Sequence, residues 1–262
     1  MKSTLKTLLL CFSAVIIMSS CKKDESYTLT VVANPESAGT VTGGGSYKSG
    51  ESISLTATPN SGYIFLNWTK GDVQVSTDAN FSYITKSTNE TLTANFEQKI
   101  IVKMGAQSNA SFGSFYSIGQ KLVYTQDLAS THQDTIDLLC FYEHVEPSRI
   151  NDITLSSPGA NITGIFTGTT SPDVWTTKRL TLFTLPVTAI TPAQFDQLHQ
   201  NDASISTYFN STLTSGNKKA KTLAVDNIWA FKTHDNIYGL IKVTSVGQNA
   251  DGYAEFELKL KK

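Results

Sequence analysis

Short runs in which every second residue is apolar recur along most of the chain, and Thr fills many of the alternate places, as in Ser52-Ile53-Ser54-Leu55-Thr56-Ala57-Thr58. Successive side chains of a strand point to opposite faces, so each run reads as a strand with one face on a core and one in water. Tyr27-Thr28-Leu29-Thr30-Val31 has the same period. Residues 39–51 mix short β runs with glycines that permit positive φ, which predicts a hairpin and then a turn, and Pro59-Asn60-Ser61-Gly62 is another turn. Tyr63-Ile64-Phe65-Leu66-Asn67-Trp68 and Glu90-Thr91-Leu92-Thr93-Ala94-Asn95-Phe96 complete a first β segment over residues 27–98. A chain patterned in this way is mainly β.

A second segment, residues 99–262, starts at once with Lys99-Ile100-Ile101-Val102-Lys103-Met104-Gly105. A join of two or three residues restrains the orientation of the two segments. Further strands are predicted over residues 113–118, 121–125, 136–142, 152–155, 179–184, 227–233, 238–246 and 253–260. The short, turn-rich joins between the last three predict an antiparallel meander. Two helices interrupt the pattern: a short one over residues 126–131, and one over residues 191–209. The longer has Thr191 as N-cap, Pro192 at the first helical position, and Phe195, Leu198, Ile205 and Tyr208 on one face. The fold expected is therefore a small β module followed by an antiparallel β-rich domain with one or two short helices.

Residues 1–20 have the character of an export signal. Lys2 and Lys6 precede an apolar run from Leu8 to Met18, which ends in Ser19-Ser20. The run has 11 residues, too short for the roughly 20 of a membrane-spanning helix. Met18-Ser19-Ser20-Cys21 resembles a lipobox, with Met in place of the usual Leu, and the resemblance implies cleavage before Cys21 and acylation of its thiol. Three acyl chains, which that resemblance implies, hold a protein far more firmly than one. Residues 21–26, with Lys22-Lys23-Asp24-Glu25-Ser26, then form a lipidated tether similar to acidic export tags that direct lipoproteins to the outer face of the outer membrane. The membrane, reached through lipid on Cys21, is thus the first expected partner, and the expected location is the outer membrane, facing the cell exterior.

The motifs of the first segment also carry a resemblance. Tyr-Thr-Leu-Thr-Val, Ala-Gly-Thr-Val, Gly-x-Tyr-x-x-Gly, Ile-Ser-Leu-Thr-Ala-Thr-Pro, Gly-Tyr-x-Phe-x-x-Trp and Leu-Thr-Ala-Asn-Phe follow one another through residues 27–97. That order is similar to the divergent internalin B-repeat, a small β-grasp-like module of bacterial surface proteins. Such modules come in tandem stalks, and no second copy is found in residues 98–262. A single copy reads as a spacer or an accessory interaction module. The last three strand runs are similar to the ends of uncharacterised surface lipoproteins, which adds location and no activity.

Chemistry-bearing motifs are sparse. Removing residues 1–20, with Lys2 and Lys6, takes the net charge from −1 to −3, so bulk charge gives no footprint for nucleic acid. Cys140, in the apolar run 136–142, is the one cysteine left beyond Cys21 and reads as a buried structural thiol. His132, His144, His199 and His234 are isolated and show no metal-ligand spacing. Gly43-Gly44-Gly45-Ser46 reads as turn chemistry, since no Lys-Ser/Thr follows to make a phosphate loop. Glu143 and Glu146 could serve glycoside hydrolysis and read better as a solvated loop edge. Asn249-Ala250-Asp251-Gly252 lacks the distal Glu of a calcium loop, and Lys218-Lys219-Ala220-Lys221 reads as a solvated helix end or loop. No catalytic residue, metal or cofactor is therefore expected.

Aromatic residues are the remaining lead. Trp68 and Trp229 read as core, whereas Trp175 lies in a loop-like stretch, where it either packs over a sheet edge or serves as the candidate ligand contact. The function expected is that of a non-catalytic surface lipoprotein binding a glycan or a protein. The alternatives are a structural or assembly partner of an outer-membrane complex and, third, an enzyme.

Overall fold

The computed structural model describes residues 25–213 and 215–262, so the signal segment and Cys21 lie outside the described residues. The first eight strands are β1 (Ser26–Asn34), β2 (Gly39–Thr42), β3 (Gly45–Lys48), β4 (Ser52–Pro59), β5 (Tyr63–Lys70), β6 (Val73–Ser76), β7 (Asn80–Ile84) and β8 (Glu90–Gln98). They make two sheets, ordered β3-β1-β8-β5-β6 and β2-β4-β7, around one core. The first and last strands, β1 and β8, run parallel side by side. Leu29, Leu55, Trp68, Leu92, Ala94 and Phe96 are the buried face of the alternation read from the sequence.

The predicted hairpin over residues 39–51 does not form. β2 pairs with β4 in one sheet and β3 with β1 in the other, so the chain crosses between sheets at Gly43-Gly44. Gly43 has φ +103, and a Cβ there would lie 2.5 Å from both Leu55 Cδ2 and the Ser54 carbonyl oxygen. Only glycine tolerates both the backbone and the contact. β6 and β7 were not anticipated, being runs of four and five residues whose alternation is short.

The second half contains β9 (Ile100–Gly105), β10 (Phe115–Ser117), β11 (Leu122–Tyr124), helix α1 (Gln126–Ser130), β12 (Leu138–Val145), β13 (Arg149–Ser156) and β14 (Leu182–Thr184). Helix α2 (Pro192–Gln197), β15 (Lys219–Ala220), β16 (Ile228–Lys232), β17 (Tyr238–Gly247) and β18 (Tyr253–Lys261) follow. Two five-stranded sheets, β11-β10-β12-β13-β15 and β14-β16-β17-β18-β9, enclose a core that includes Cys140, Phe183, Phe231 and Phe256. β16, β17 and β18 form the expected meander.

Both sheets are also covered on their outer faces. Leu139 and Phe141 of β12 meet Ala129 of α1 and the loop residues Ile162, Phe166 and Trp175. Leu240 of β17 meets Phe195 of α2 together with Ile205 and Phe209. A strand buried on both faces loses its alternation, which is why residues 136–142 read as one apolar run.

The long helix expected over residues 191–209 is two short pieces. Thr191 and Gln194 form a reciprocal capping box that starts α2, but Leu198 is extended (φ −74, ψ 143) and a 3-10 turn begins only at Ala203. The break has a backbone cause. β9 covers β18 only as far as Ile100 opposite Leu258. Beyond it the Gln200 side chain donates to the Leu258 carbonyl at 2.9 Å and accepts from the Leu260 N–H at 2.9 Å, while the Asn201 N–H donates to the Leu260 carbonyl at 2.7 Å. Continuing the helix would leave that strand end unpaired.

Candidate functional site

Trp175 is buried, 5% exposed, and its indole N–H donates to the Thr170 carbonyl at 2.9 Å. Its ring lies 5.4 Å from that of Phe115 beneath the 158–175 loop. The packing alternative holds, and the ring offers no free face for a ligand to stack on. Trp68 is fully buried, and Trp229 packs against the sandwich core.

Most other marked residues have local partners. His144 donates to Asp152 at 2.6 Å and contacts Glu146 at 3.2 Å, and the hydrogen bond to Asp152 pushes its imidazole pKa up. Glu143 pairs with Arg149 at 2.9 Å, so Glu143 and Glu146 serve different neighbours. Burial pushes the Cys140 thiol to about 12. The turn at Asn249–Gly252 closes β17 onto β18, with the Asn109 side chain donating to the carbonyls of Asp251 and Gly252. Lys219 and Ala220 are not in a helix end or free loop: they form β15 on β13, with Ala220 in the core and the Lys219 ammonium 5.4 Å from the Phe141 ring centre. Among the described residues no three His, Cys, Asp or Glu side chains converge to hold a metal ion.

A cleft lies where the two halves meet. It measures about 650 Å³, and its walls include Tyr63, Ile64 and Phe65 of β5, residues 77–79 between β6 and β7 with Asn80 at the start of β7, Asp196 and Gln197 at the end of α2, and His199 just beyond it. Each wall is fixed locally. Gly62, at φ +83, turns the chain into β5, and the Ala79 carbonyl accepts from both the Trp68 indole and the Ala57 N–H. Pro192 and the Thr191–Gln194 box set the start of α2, whose Phe195 is buried against the sheet.

Lys99 joins the two walls. Its N–H donates to the Gly62 carbonyl at 2.8 Å, and its ammonium lies 3.3 Å from the buried carboxylate of Glu257. Beside it Glu97 contacts His199 at 3.3 Å and accepts from the Gln200 N–H at 3.1 Å. The positive groups of the cleft are therefore matched within the protein.

Its free polar groups are different. The Asp78 carboxylate and the side-chain amides of Asn80 and Gln197 are exposed and, among the described residues, make no hydrogen bond or ion pair. With the half-buried Tyr63 ring they offer one anionic acceptor, two amides that both donate and accept, and an aromatic surface. This chemistry suits a neutral ligand rich in hydroxyl groups: amides and a carboxylate bridge neighbouring hydroxyls while the ring packs on C–H faces. No sequence motif marked these residues, because Asp78 and Gln197 are far apart in the chain and only folding brings them to one cleft. The one available signal was Asp78 in a turn between two short strands, which is common in any β protein.

No functionally curated protein matches the chain. Among solved structures, a crystal structure of a DUF4466 family protein from Parabacteroides merdae aligns over 89% of this chain and 94% of its own, with 9% sequence identity and a TM-score of 0.35. Residues 27–100 match the divergent InlB B-repeat domain family, and this segment, though not the remainder of the chain, is assigned to it.

Proposed function

We propose that the chain is a non-catalytic cell-envelope lipoprotein, held in the outer membrane through lipid on Cys21 and facing the cell exterior, which binds a glycan in the cleft between its two halves. The observation that carries this reading is the set of unpartnered polar groups, Asp78, Asn80 and Gln197, around the Tyr63 ring. In this reading the repeat module forms one wall of the site as well as a spacer. An assembly partner is the second reading, favoured by Ile101, Leu122 and Val123, which are exposed near one open edge of the sandwich.

Asp78 and Gln197 stand on opposite walls, and among the described residues their side chains make no hydrogen bond or ion pair, so truncating them separates binding from stability. Probing a broad glycan array with residues 22–262, we expect binding that falls about tenfold in Asp78→Ala and again in Gln197→Ala, the loss of roughly one hydrogen bond to a polar ligand in each case. Thermal unfolding should be unchanged in both variants. Absence of binding across the array, or binding indifferent to both substitutions, would overturn the glycan reading and turn attention to the open sandwich edge.

A further inference from the structure

A second cavity lies away from the inter-module cleft, on the outer face of the sheet containing β14, β16 and β17. It measures about 270 Å³. Leu180, Leu182, Phe209 and Leu213 supply apolar walls, and the Phe209 and Tyr238 rings meet edge to face at 5.8 Å. At the mouth are Lys232 and the turn that links β16 to β17, which holds His234.

Charge distinguishes this cavity from the rest of the sheet. Along the same outer face, Lys242 is paired with Asp196, and Lys259 lies 3.0 Å from Glu257. Among the described residues the Lys232 ammonium has no carboxylate partner and lies over the Tyr238 ring, 5.3 Å from its centre. Asp235, next to His234 in that same turn, is held by Arg179, and among the described residues no Asp or Glu lines the cavity. An apolar pocket with one uncompensated cation at its rim is complementary to an anion with an apolar body.

We propose that this cavity binds a small amphipathic carboxylate of the arylalkanoate class, its aryl group among Leu180, Leu182, Leu213 and Phe209 and its carboxylate on the Lys232 ammonium. The volume limits the ligand, since pockets for drug-sized molecules begin at roughly 300 Å³. The aryl body is favoured by the Phe209 and Tyr238 rings, which present edges and faces to a third ring. The site is independent of the glycan cleft.

Hydrocinnamate, its uncharged amide and inorganic phosphate are suitable probes, titrated into residues 22–262 by calorimetry. Hydrocinnamate should bind saturably, at least tenfold more tightly than either the amide, which lacks the charge, or phosphate, which lacks the apolar body. Lys232→Met keeps the aliphatic stem and should abolish the preference for carboxylate over amide. Should that variant fold poorly by thermal unfolding, Ser211→Trp, at an exposed rim position, decides instead: it fills the mouth without altering the cation and should remove binding. The proposal is overturned by absence of saturable hydrocinnamate binding, by equal binding of amide or phosphate, or by binding that survives both substitutions.

Discussion

Arg179→Leu is expected to cost about 3–5 kcal/mol of stability at neutral pH, because it strands a buried carboxylate. Asp137 is 2% exposed, and the Arg179 Nε donates to it at 2.9 Å, while the Ile118 N–H donates to its second oxygen at 2.9 Å. Arg179 also donates to the Asp134 carbonyl at 2.8 Å and reaches Asp235, tying the segment before β14 to the start of β12 and to the β16–β17 turn. Even with this partner, burial holds the Asp137 carboxyl above its usual pKa of 3.8.

The sign of the pH dependence follows. A carboxyl whose folded pKa is raised favours folding where it is protonated and opposes it once pH rises through the folded value. Removing Arg179 takes away the favourable charge and raises the folded value further, so the deficit should be largest at neutral pH and smaller at an acidic pH, where the carboxyl is protonated in both folded proteins. Urea unfolding of both proteins at the two pH values measures this. An equal deficit at both would assign the cost to lost packing instead of stranded charge.

Trp68→Ala is the second large effect. The ring is fully buried, lies 6.1 Å from Phe65 and 5.9 Å from Phe81, and its indole N–H donates to the Ala79 carbonyl at 3.3 Å. Truncation should cost about 3–5 kcal/mol, a large part of the stability of so small a core. In calorimetry the transition of the β1–β8 half should fall on the order of 20 °C or vanish, while most of the β9–β18 transition remains. The cores of the two halves share no residue, which is the basis for that separation. Equal lowering of both transitions would show that the seam at Lys99 and Glu97 couples them into one cooperative unit.

Much of this architecture was legible in the sequence because a half-buried strand leaves a period of two. Leu29, Leu55, Leu92 and Phe96 alternate with Thr or polar residues and occupy the core as that pattern requires. The period could not show pairing. Residues 39–48 alternate on both sides of a glycine pair, yet β2 and β3 go to different sheets, since partner choice depends on strands far away in the chain. Helical periodicity misled over residues 191–209 for a similar reason. Phe195, Leu198, Ile205 and Tyr208 all join one apolar cluster, as a continuous helix would also arrange, but the open end of β18 recruits Gln200 and Asn201 and divides the helix.

Burial of charge was equally hidden. Glu257 and Lys259 occupy the polar positions of an alternating run, which reads as a solvent face, yet both are buried on the sheet face where α2 lies, with the Lys259 ammonium 5.5 Å from the Phe195 ring centre. Trp175 shows the limit of loop composition: it left packing over a sheet edge and a ligand contact both open, and the structure has the loop folded back over β12 with the Trp175 ring packed beneath it. The cleft was the least legible feature, because Tyr63, Asp78 and Gln197 are ordinary residues in their own segments and acquire meaning only where the segments meet.

The most direct measurement is a methyl-resolved NMR titration of residues 22–262 with the oligosaccharide bound most tightly on the array. Binding in the cleft should shift the methyl signals of Ile64, Thr77 and Ala79, which line it, and leave those of Val187 and Leu122, exposed elsewhere, in place. Shifts confined to other methyls, or none at saturating oligosaccharide, would contradict recognition between the two halves.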